Sequence, residues 1–229
     1  MDQSTHDKLH YIRIPNAIGG RAEMVRMCYV LAAKPYTDVL HAIADAAAAV
    51  TGKNPFKQFP FVETPSGQTI YQTLAIMHHA AHGTPAWPSN PSQLTLALCA
   101  GMGGYDLYQA FGGFAADDLA AKKKFEEKRA PQLLTGLGQI YANTPFAAGD
   151  TPCFADCIVQ QACPASTATV CASGICSASQ RWCRGGMTRS RSGISTEVGT
   201  SMSAIQRVES NRVISASARI IAPELVARN

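Results

Sequence analysis

Long apolar runs are missing from this chain of 229 residues, although 46% of its residues are hydrophobic. No run reaches the roughly 18 apolar residues of a membrane-spanning helix, so we expect no membrane partner. The opening MDQSTHDKLHY carries Asp2 and Asp7 but no apolar segment, so no secretory signal is expected either. We therefore expect a cytoplasmic globular protein, in which the eight cysteines are free thiols.

The end of the chain is poor in the residues that build a core. Residues 163–229 contain no lysine and no aspartate, and Leu225 is their only leucine. They hold 8 arginines against 3 glutamates, whereas residues 1–162 hold 12 basic and 13 acidic side chains. The arginines stand among small polar residues without interleaved aromatics, a pattern that does not favour nucleic-acid binding. We expect this segment to be atypical, either a disordered natural tail or the product of a frameshift.

Strand and helix signals alternate through residues 1–82. Lys8–Ile14 is rich in strand formers and ends before Pro15, while residues 19–33 show the apolar spacing of a helix. We predict an alanine-rich helix for Thr37–Val50, and a hairpin of FPFVE and TIY joined by TPSGQ. A further helix is predicted for TLAIMHHAAH, residues 73–82, and is expected to stop at Gly83.

The chain changes character after residue 82. Residues 83–93 contain three prolines and read as a linker, and residues 94–141 read as helices throughout. We therefore predict an α/β domain over residues 1–82 and an all-α domain over residues 94–162.

The Phe59–Pro60–Phe61 triplet places a proline at the start of a strand. A cis peptide before Pro60 would turn the N–H and C=O of Phe59 out of the sheet, where an extended peptide can pair with them. Gln72 and Thr73 open a helix, whose first N–H groups favour a carboxylate. Together these features suit a small anionic peptide, whereas the alternative is an ordinary edge strand and an ordinary helix cap.

Four motifs in residues 8–82 resemble the N-terminal thioredoxin-like domain of glutathione transferases, most nearly the sigma class. They are KLHY, GRAEMVR, NPFKQFPFVE and Gln72-Thr73-Leu74-Ala75-Ile76. The resemblance implies the glutathione transferase architecture, in which a thioredoxin-like α/β domain binds glutathione and an all-α domain follows. It also implies that glutathione is a co-substrate and that no cofactor is needed.

The same resemblance implies a set of glutathione-binding residues. Phe59 would pair through its backbone with the cysteinyl part beside a cis Pro60, and Gln72 and Thr73 would hold the γ-glutamyl carboxylate. The remaining candidates are Arg21, Lys53 and Gln58. The segment before Lys53 lacks the tryptophan and lysine that sigma members use, so Lys53 only approximates the expected position.

Tyr11 is the candidate catalytic residue. In tyrosine-type members a phenol at this place donates a hydrogen bond to the glutathione sulfur, which favours the nucleophilic thiolate. The alternative is a half-buried strand aromatic without a chemical role. The separation between Tyr11 and Arg21 is longer than in the family.

Residues 93–111 resemble the family's fourth helix. Asp106 would reach glutathione bound to the other subunit, which implies a homodimer, and Tyr105 and Tyr108 would line the pocket for a hydrophobic electrophile. An alternative explanation of Asp106 is a solvated helix charge. Phe146–Asp156 resembles a capping box with Cys153 in place of Ser or Thr, and we expect this cap to be weak or absent because sulfur is a poor acceptor.

Past about residue 162 the resemblance stops. The sequence therefore predicts a glutathione transferase that conjugates electrophiles, or alternatively a non-catalytic glutathione-binding or structural relative. The histidines at positions 78, 79 and 82 have helical spacing but no supporting carboxylate or cysteine, so no metal site is predicted.

Overall fold

The computed structural model describes residues 5–13, 19–113 and 118–163. Its sheet has four strands, β1 (Asp7–Ile12), β2 (Tyr36–His41), β3 (Phe61–Glu63) and β4 (Thr69–Tyr71), in the order β2-β1-β3-β4. Strand β2 is parallel to β1, whereas β3 is antiparallel to β1 and to β4. The alternation of β1 sends Leu9 and Tyr11 to one face of the sheet and His10 to the other.

Helices α1 (Gly20–Leu31) and α3 (Thr73–Ala81) pack on each other against the Leu9 face. Their inner sides are fully buried at Met24, Val25, Ile76 and Met77. Both predicted helices are confirmed, as are β1 and the hairpin of β3 and β4.

The predicted helix over residues 37–50 is wrong in its first part. Tyr36–His41 forms β2, followed by a 3-10 helix (Ile43–Asp45) and the short helix α2 (Ala46–Val50). Strand β2 pairs with β1 along its whole length, from Asp7 with Tyr36 to Ile12 with His41. This pairing between distant residues outweighs the local helical preference of an alanine-rich segment.

The second part of the chain is helical, as predicted. It contains α4 (Pro91–Gly113), α5 (Leu119–Lys124), a π-helix (Phe125–Arg129), α6 (Ala130–Ile140) and α7 (Phe154–Ala162). Helix α4 begins at Pro91, inside the segment predicted as a linker. No helix among the described residues is long and apolar enough to cross a membrane.

Helix α7 joins the two parts of the protein because it packs against both α4 and α1. Gly104 of α4 allows the close approach, since a Cβ there would lie 2.9 Å from Cγ2 of Val159. Of the two expectations for the cap before α7, weak or absent, the absence is wrong, because the capping box is present. The Cys153 N–H donates to the Asp156 carboxylate at 2.7 Å, and Tyr141 Oη donates to the same carboxylate at 2.8 Å. The predicted tail lies outside the described residues from position 164 onward.

Candidate functional site

Tyr11 lies near the end of β1, where α1 begins. The Arg21 N–H, in the first turn of α1, donates to Tyr11 Oη at 3.2 Å. Gly20 has a φ of +58°, and a Cβ at this position would lie 2.2 Å from the same oxygen. The phenol is therefore held against the N-terminus of α1 by a backbone that has room only for glycine.

The Tyr11 ring is buried, with only 8% of the residue exposed. The guanidinium carbon of Arg26 lies 5.8 Å from the ring centroid, within the range of a cation–π contact. Arg26 is itself held by two ion pairs: its Nε lies 3.0 Å from Asp38 Oδ2, and its Nη1 lies 3.0 Å from Glu23 Oε2. This ion network ties the Tyr11 ring to both α1 and β2.

Helix α4 faces Tyr11 from the helical part. Burial, together with the nearby hydroxyl of Tyr11, raises the pKa of Tyr108. The Tyr105 and Tyr108 rings are 6.3 Å apart, so both candidate pocket residues share one side of α4. The Arg21 guanidinium donates to Gln109 Oε1 at 2.7 Å, which links α1 to α4 beside this site.

The Phe59–Pro60 peptide is cis, as predicted. Strand β3 starts at Phe61, so the N–H and C=O of Phe59 lie just outside the paired residues of the ladder. The buried side chain of Asn54 holds the preceding loop: its Nδ2 donates to the Gln58 carbonyl at 2.7 Å, and its Oδ1 accepts from the Phe56 N–H at 2.9 Å.

Gln72 and Thr73 stand where β4 gives way to α3. Gln72 is exposed and has a φ of +73°, a conformation rare for residues other than glycine, while Thr73 is buried as the first residue of α3. Phe61 of β3 pairs with Tyr71 of β4, so Phe59 and Gln72 lie at the same end of these two strands. The N–H groups of the first turn of α3 are thus available to an acceptor at this end of the sheet.

Three further candidates lie near the surface. The Lys53 amine is bound to Glu63 Oε1 at 2.8 Å, and the side chains of Gln58 and Asp106 are exposed. Within the described ranges, no cluster of three or more histidine, cysteine, aspartate or glutamate side chains is arranged to hold a metal.

The sequence reasoning missed Gly20, Asn54, Gln109 and the pair formed by His10 and His41. The φ of Gly20 and the partners of Asn54 depend on the folded backbone. For Gly20 the one local signal is the pair of consecutive glycines before Arg21, and the sequence contains no such signal for Asn54.

Comparisons with solved structures agree with this architecture. A Nu-class glutathione transferase from Haemonchus contortus has a TM-score of 0.64 at 21% identity, over 82% of this chain and 98% of its own. A sigma-class enzyme from Fasciola hepatica has a TM-score of 0.61 at 18% identity, over 78% and 95%. The monomeric Na-GST-3 from the hookworm Necator americanus has a TM-score of 0.56 at 21% identity, over 82% and 100%.

Neither a family model nor a curated protein matches the chain. The structural likeness rests on a mixed sheet in the order β2-β1-β3-β4, two helices on one of its faces, and a helical part joined to it through α7. The chain therefore has the fold of the glutathione transferases, the sigma class among them.

Proposed function

We propose that this protein is a glutathione transferase that conjugates glutathione to hydrophobic electrophiles. The observation that carries the proposal is the hydrogen bond from the Arg21 N–H to Tyr11 Oη. Because the phenol oxygen already accepts this bond, its own proton is free to point outward to a ligand. The partial positive charge at the N-terminus of α1 stabilises electron density on the oxygen, and the buried ring cannot turn away.

In the proposed reaction the Tyr11 hydroxyl donates a hydrogen bond to the glutathione sulfur. This bond favours the thiolate over the thiol, whose proton passes to solvent, and the thiolate attacks the electrophilic carbon. The new bond is sulfur to carbon, and the electron pair of the broken bond leaves with the displaced group or moves into the electrophile. Tyr11 keeps its proton throughout.

The peptide part of glutathione is proposed to pair with the backbone of Phe59 beside Pro60. The first-turn N–H groups of α3, at Gln72 and Thr73, would bind the γ-glutamyl carboxylate. Asn54 supports this edge because its two hydrogen bonds fix the loop that leads to Phe59. Arg21, Gln58 and Lys53 remain proposed contacts, although the Lys53 amine first has to leave Glu63.

The electrophile is proposed to lie against Tyr105 and Tyr108 on α4. The Tyr108 phenol is protonated at neutral pH, as an ordinary phenol is, and burial raises its pKa further, so it can donate a hydrogen bond to a polar group of the electrophile. The bond between Arg21 and Gln109 links α1 to α4 on the same helix as these two tyrosines.

We further propose a cytoplasmic homodimer in which Asp106 reaches glutathione on the other subunit. Its exposure on α4 is what this role requires. The fold alone leaves the question open, because one of its structural neighbours is monomeric. Sedimentation velocity should give a single species of twice the 24.3 kDa chain mass; a monomer with full transferase activity would contradict the assignment of Asp106.

Tyr11→Phe tests the catalytic proposal. A hydrogen bond to a charged group contributes about 1.5–3 kcal/mol, so the pKa of the bound glutathione thiol should rise by about 1–2 units, and kcat should fall about 10- to 100-fold at neutral pH. The dissociation constant of S-methylglutathione, which has no ionisable thiol, should stay within about twofold. Tyr71→Phe is the matched control, because it removes a phenol hydroxyl on β4 away from α1.

The alternative is a glutathione-binding relative without catalysis. It predicts that the wild type binds immobilised glutathione but does not turn over an aryl halide, and that Tyr11→Phe changes nothing. Failure of the wild type to bind glutathione at all would refute both forms of the proposal.

A further inference from the structure

Two histidines stand together at the C-terminal end of α3. His78 lies in the last turn of the helix, and His82 is its C-cap. Their ring centroids are 4.9 Å apart with an interplanar angle of 61°, and both side chains are exposed. Within residues 5–13, 19–113 and 118–163, no ring nitrogen of either histidine makes a hydrogen bond or an ion pair. The pair is thus open to a ligand from solvent, and the proposed reaction does not use it.

Helical spacing explains why these two rings meet. The His82 N–H donates to the His78 carbonyl at 2.8 Å, so the chain keeps its helical path as far as His82, and side chains four residues apart share one face of a helix. Helices of zinc sites present two histidine ligands at this spacing. The sequence alone did not predict a metal here, because it shows no supporting carboxylate or cysteine. The structure adds the closeness of the two rings at an exposed helix end, where water can supply the remaining ligands.

The separation of the rings matches two ligands of one ion. An imidazole nitrogen binds zinc at about 2.0–2.1 Å, which places the ring centroid about 3.2 Å from the ion. Two such rings at nitrogen–metal–nitrogen angles of roughly 90° to 110° have centroids about 4.5–5.2 Å apart. The observed 4.9 Å falls within this range. The alternative is an aromatic contact alone, for which the distance is also ordinary.

Packing holds the His78 ring in place. Its centroid is 4.6 Å from that of Trp87, with an interplanar angle of 75°. Trp87 in turn stacks on the fully buried Phe154 of α7 at 4.2 Å and 23°. A ligand that is already positioned loses less conformational entropy on binding. His78 is therefore a pre-positioned ligand, to which the exposed His82 adds the second nitrogen.

The surroundings of the pair suit a cation. The C-terminal end of a helix carries partial negative charge. His79 does not belong to the pair, because its Nε2 lies 2.9 Å from Asp7 Oδ2 and 2.9 Å from the Lys34 amine. The charge of Lys34 is paired with the Asp7 carboxylate at 2.9 Å, so it adds little repulsion against an ion at His78 and His82.

We propose that His78 and His82 form a two-histidine site for a borderline transition-metal ion such as Ni²⁺, Cu²⁺ or Zn²⁺, with water in the remaining positions. Imidazole suits these ions, whereas Mg²⁺ and Ca²⁺ prefer oxygen ligands. The site is independent of the proposed reaction, because it lies at the opposite end of α3 from Gln72 and Thr73.

The test is a titration of the full chain with Ni²⁺ at about pH 7.5, where an ordinary imidazole is largely neutral and able to bind a metal. Trp182→Phe is introduced throughout, which leaves Trp87 as the only tryptophan. An open-shell ion bound to His78, beside this indole, should quench its fluorescence with saturation. Zn²⁺, whose d shell is filled, should displace Ni²⁺ and restore the fluorescence, and Mg²⁺ at the same concentration should not.

His82→Gln removes one ligand and leaves the contact between His78 and Trp87 in place. The loss of an outer-shell partner already weakens metal sites about 10- to 100-fold, so the loss of one of two ligands should raise the apparent dissociation constant of Ni²⁺ at least tenfold. His41→Gln is the matched control, since it removes an imidazole at the end of β2 instead of α3, and it should bind as the wild type.

Two results would overturn the proposal. Unchanged Ni²⁺ affinity in His82→Gln would show that other groups, such as the thiols of the chain, hold the ion. Absence of saturable quenching in the wild type would show that His78 and His82 make an aromatic contact only. Saturable quenching that Zn²⁺ reverses, and that His82→Gln weakens while His41→Gln does not, would establish the site.

Discussion

Replacement of Gly20 tests how the position of the Tyr11 hydroxyl is controlled. In Gly20→Ala the new Cβ would lie 2.2 Å from Tyr11 Oη, whereas ordinary contact begins at 3.4 Å. The phenol oxygen must therefore retreat by about 1 Å, and a misplacement of that size in a catalytic group costs on the order of 100-fold in rate. The positive φ adds a backbone cost of about 1–2 kcal/mol to the free energy of folding.

Gly67→Ala separates these two effects. Gly67 has a φ of +83° in the hairpin turn, and a Cβ there would meet nothing within 4 Å. Both variants should lose free energy of unfolding in urea, Gly20→Ala at least as much as Gly67→Ala because of its added contact with Tyr11. Only Gly20→Ala should raise the pKa of the bound glutathione thiol, followed by thiolate absorbance, and lower kcat/KM. If the two variants retain equal kcat/KM and equal thiol pKa, the tight fit around Tyr11 Oη has no catalytic importance.

Three further changes test other parts of the structure. Asp7 is 4% exposed and accepts hydrogen bonds from the Lys34 amine and from two other side chains, which together hold its pKa below the usual range despite burial. Asp7→Asn should lower the free energy of unfolding by about 2–3 kcal/mol at pH 7, and this deficit should shrink as the pH falls below about 4, where the Asp7 carboxylate of the unfolded chain begins to take up protons before that of the folded protein; a deficit that is constant from pH 7 to 3 would contradict the contribution of its charge. Asn54→Ala should weaken binding of S-methylglutathione about 5- to 10-fold in calorimetry because the Gln58 carbonyl loses its donor, and an unchanged affinity would show that the loop needs no such support. Asp156→Ala should cost about 1–3 kcal/mol in thermal unfolding, since the Cys153 N–H loses its acceptor, and an unchanged melting temperature would show that the capping box does not stabilise α7.

The sequence alone predicted the parts of the fold that local patterns specify. The spacing in GGRAEMVRMCYVLAA predicts α1, the turn residues TPSGQ predict the hairpin, and the proline after Phe59 predicts the cis peptide. The motif resemblance also placed Tyr11 at the end of a strand, where its hydroxyl meets the start of α1.

Strand β2 and the partners of the polar side chains depended on the tertiary structure. Residues 36–41 form a strand because their backbone pairs in parallel with that of β1, which is distant in the sequence. Likewise, the sequence does not show that the Lys53 amine is bound to Glu63, or that Glu63 also lies 3.1 Å from His10. Local periodicity determines which segments fold and which of their faces are buried, whereas the choice of partner for a charged or polar group is decided by the residues that the completed sheet brings beside it.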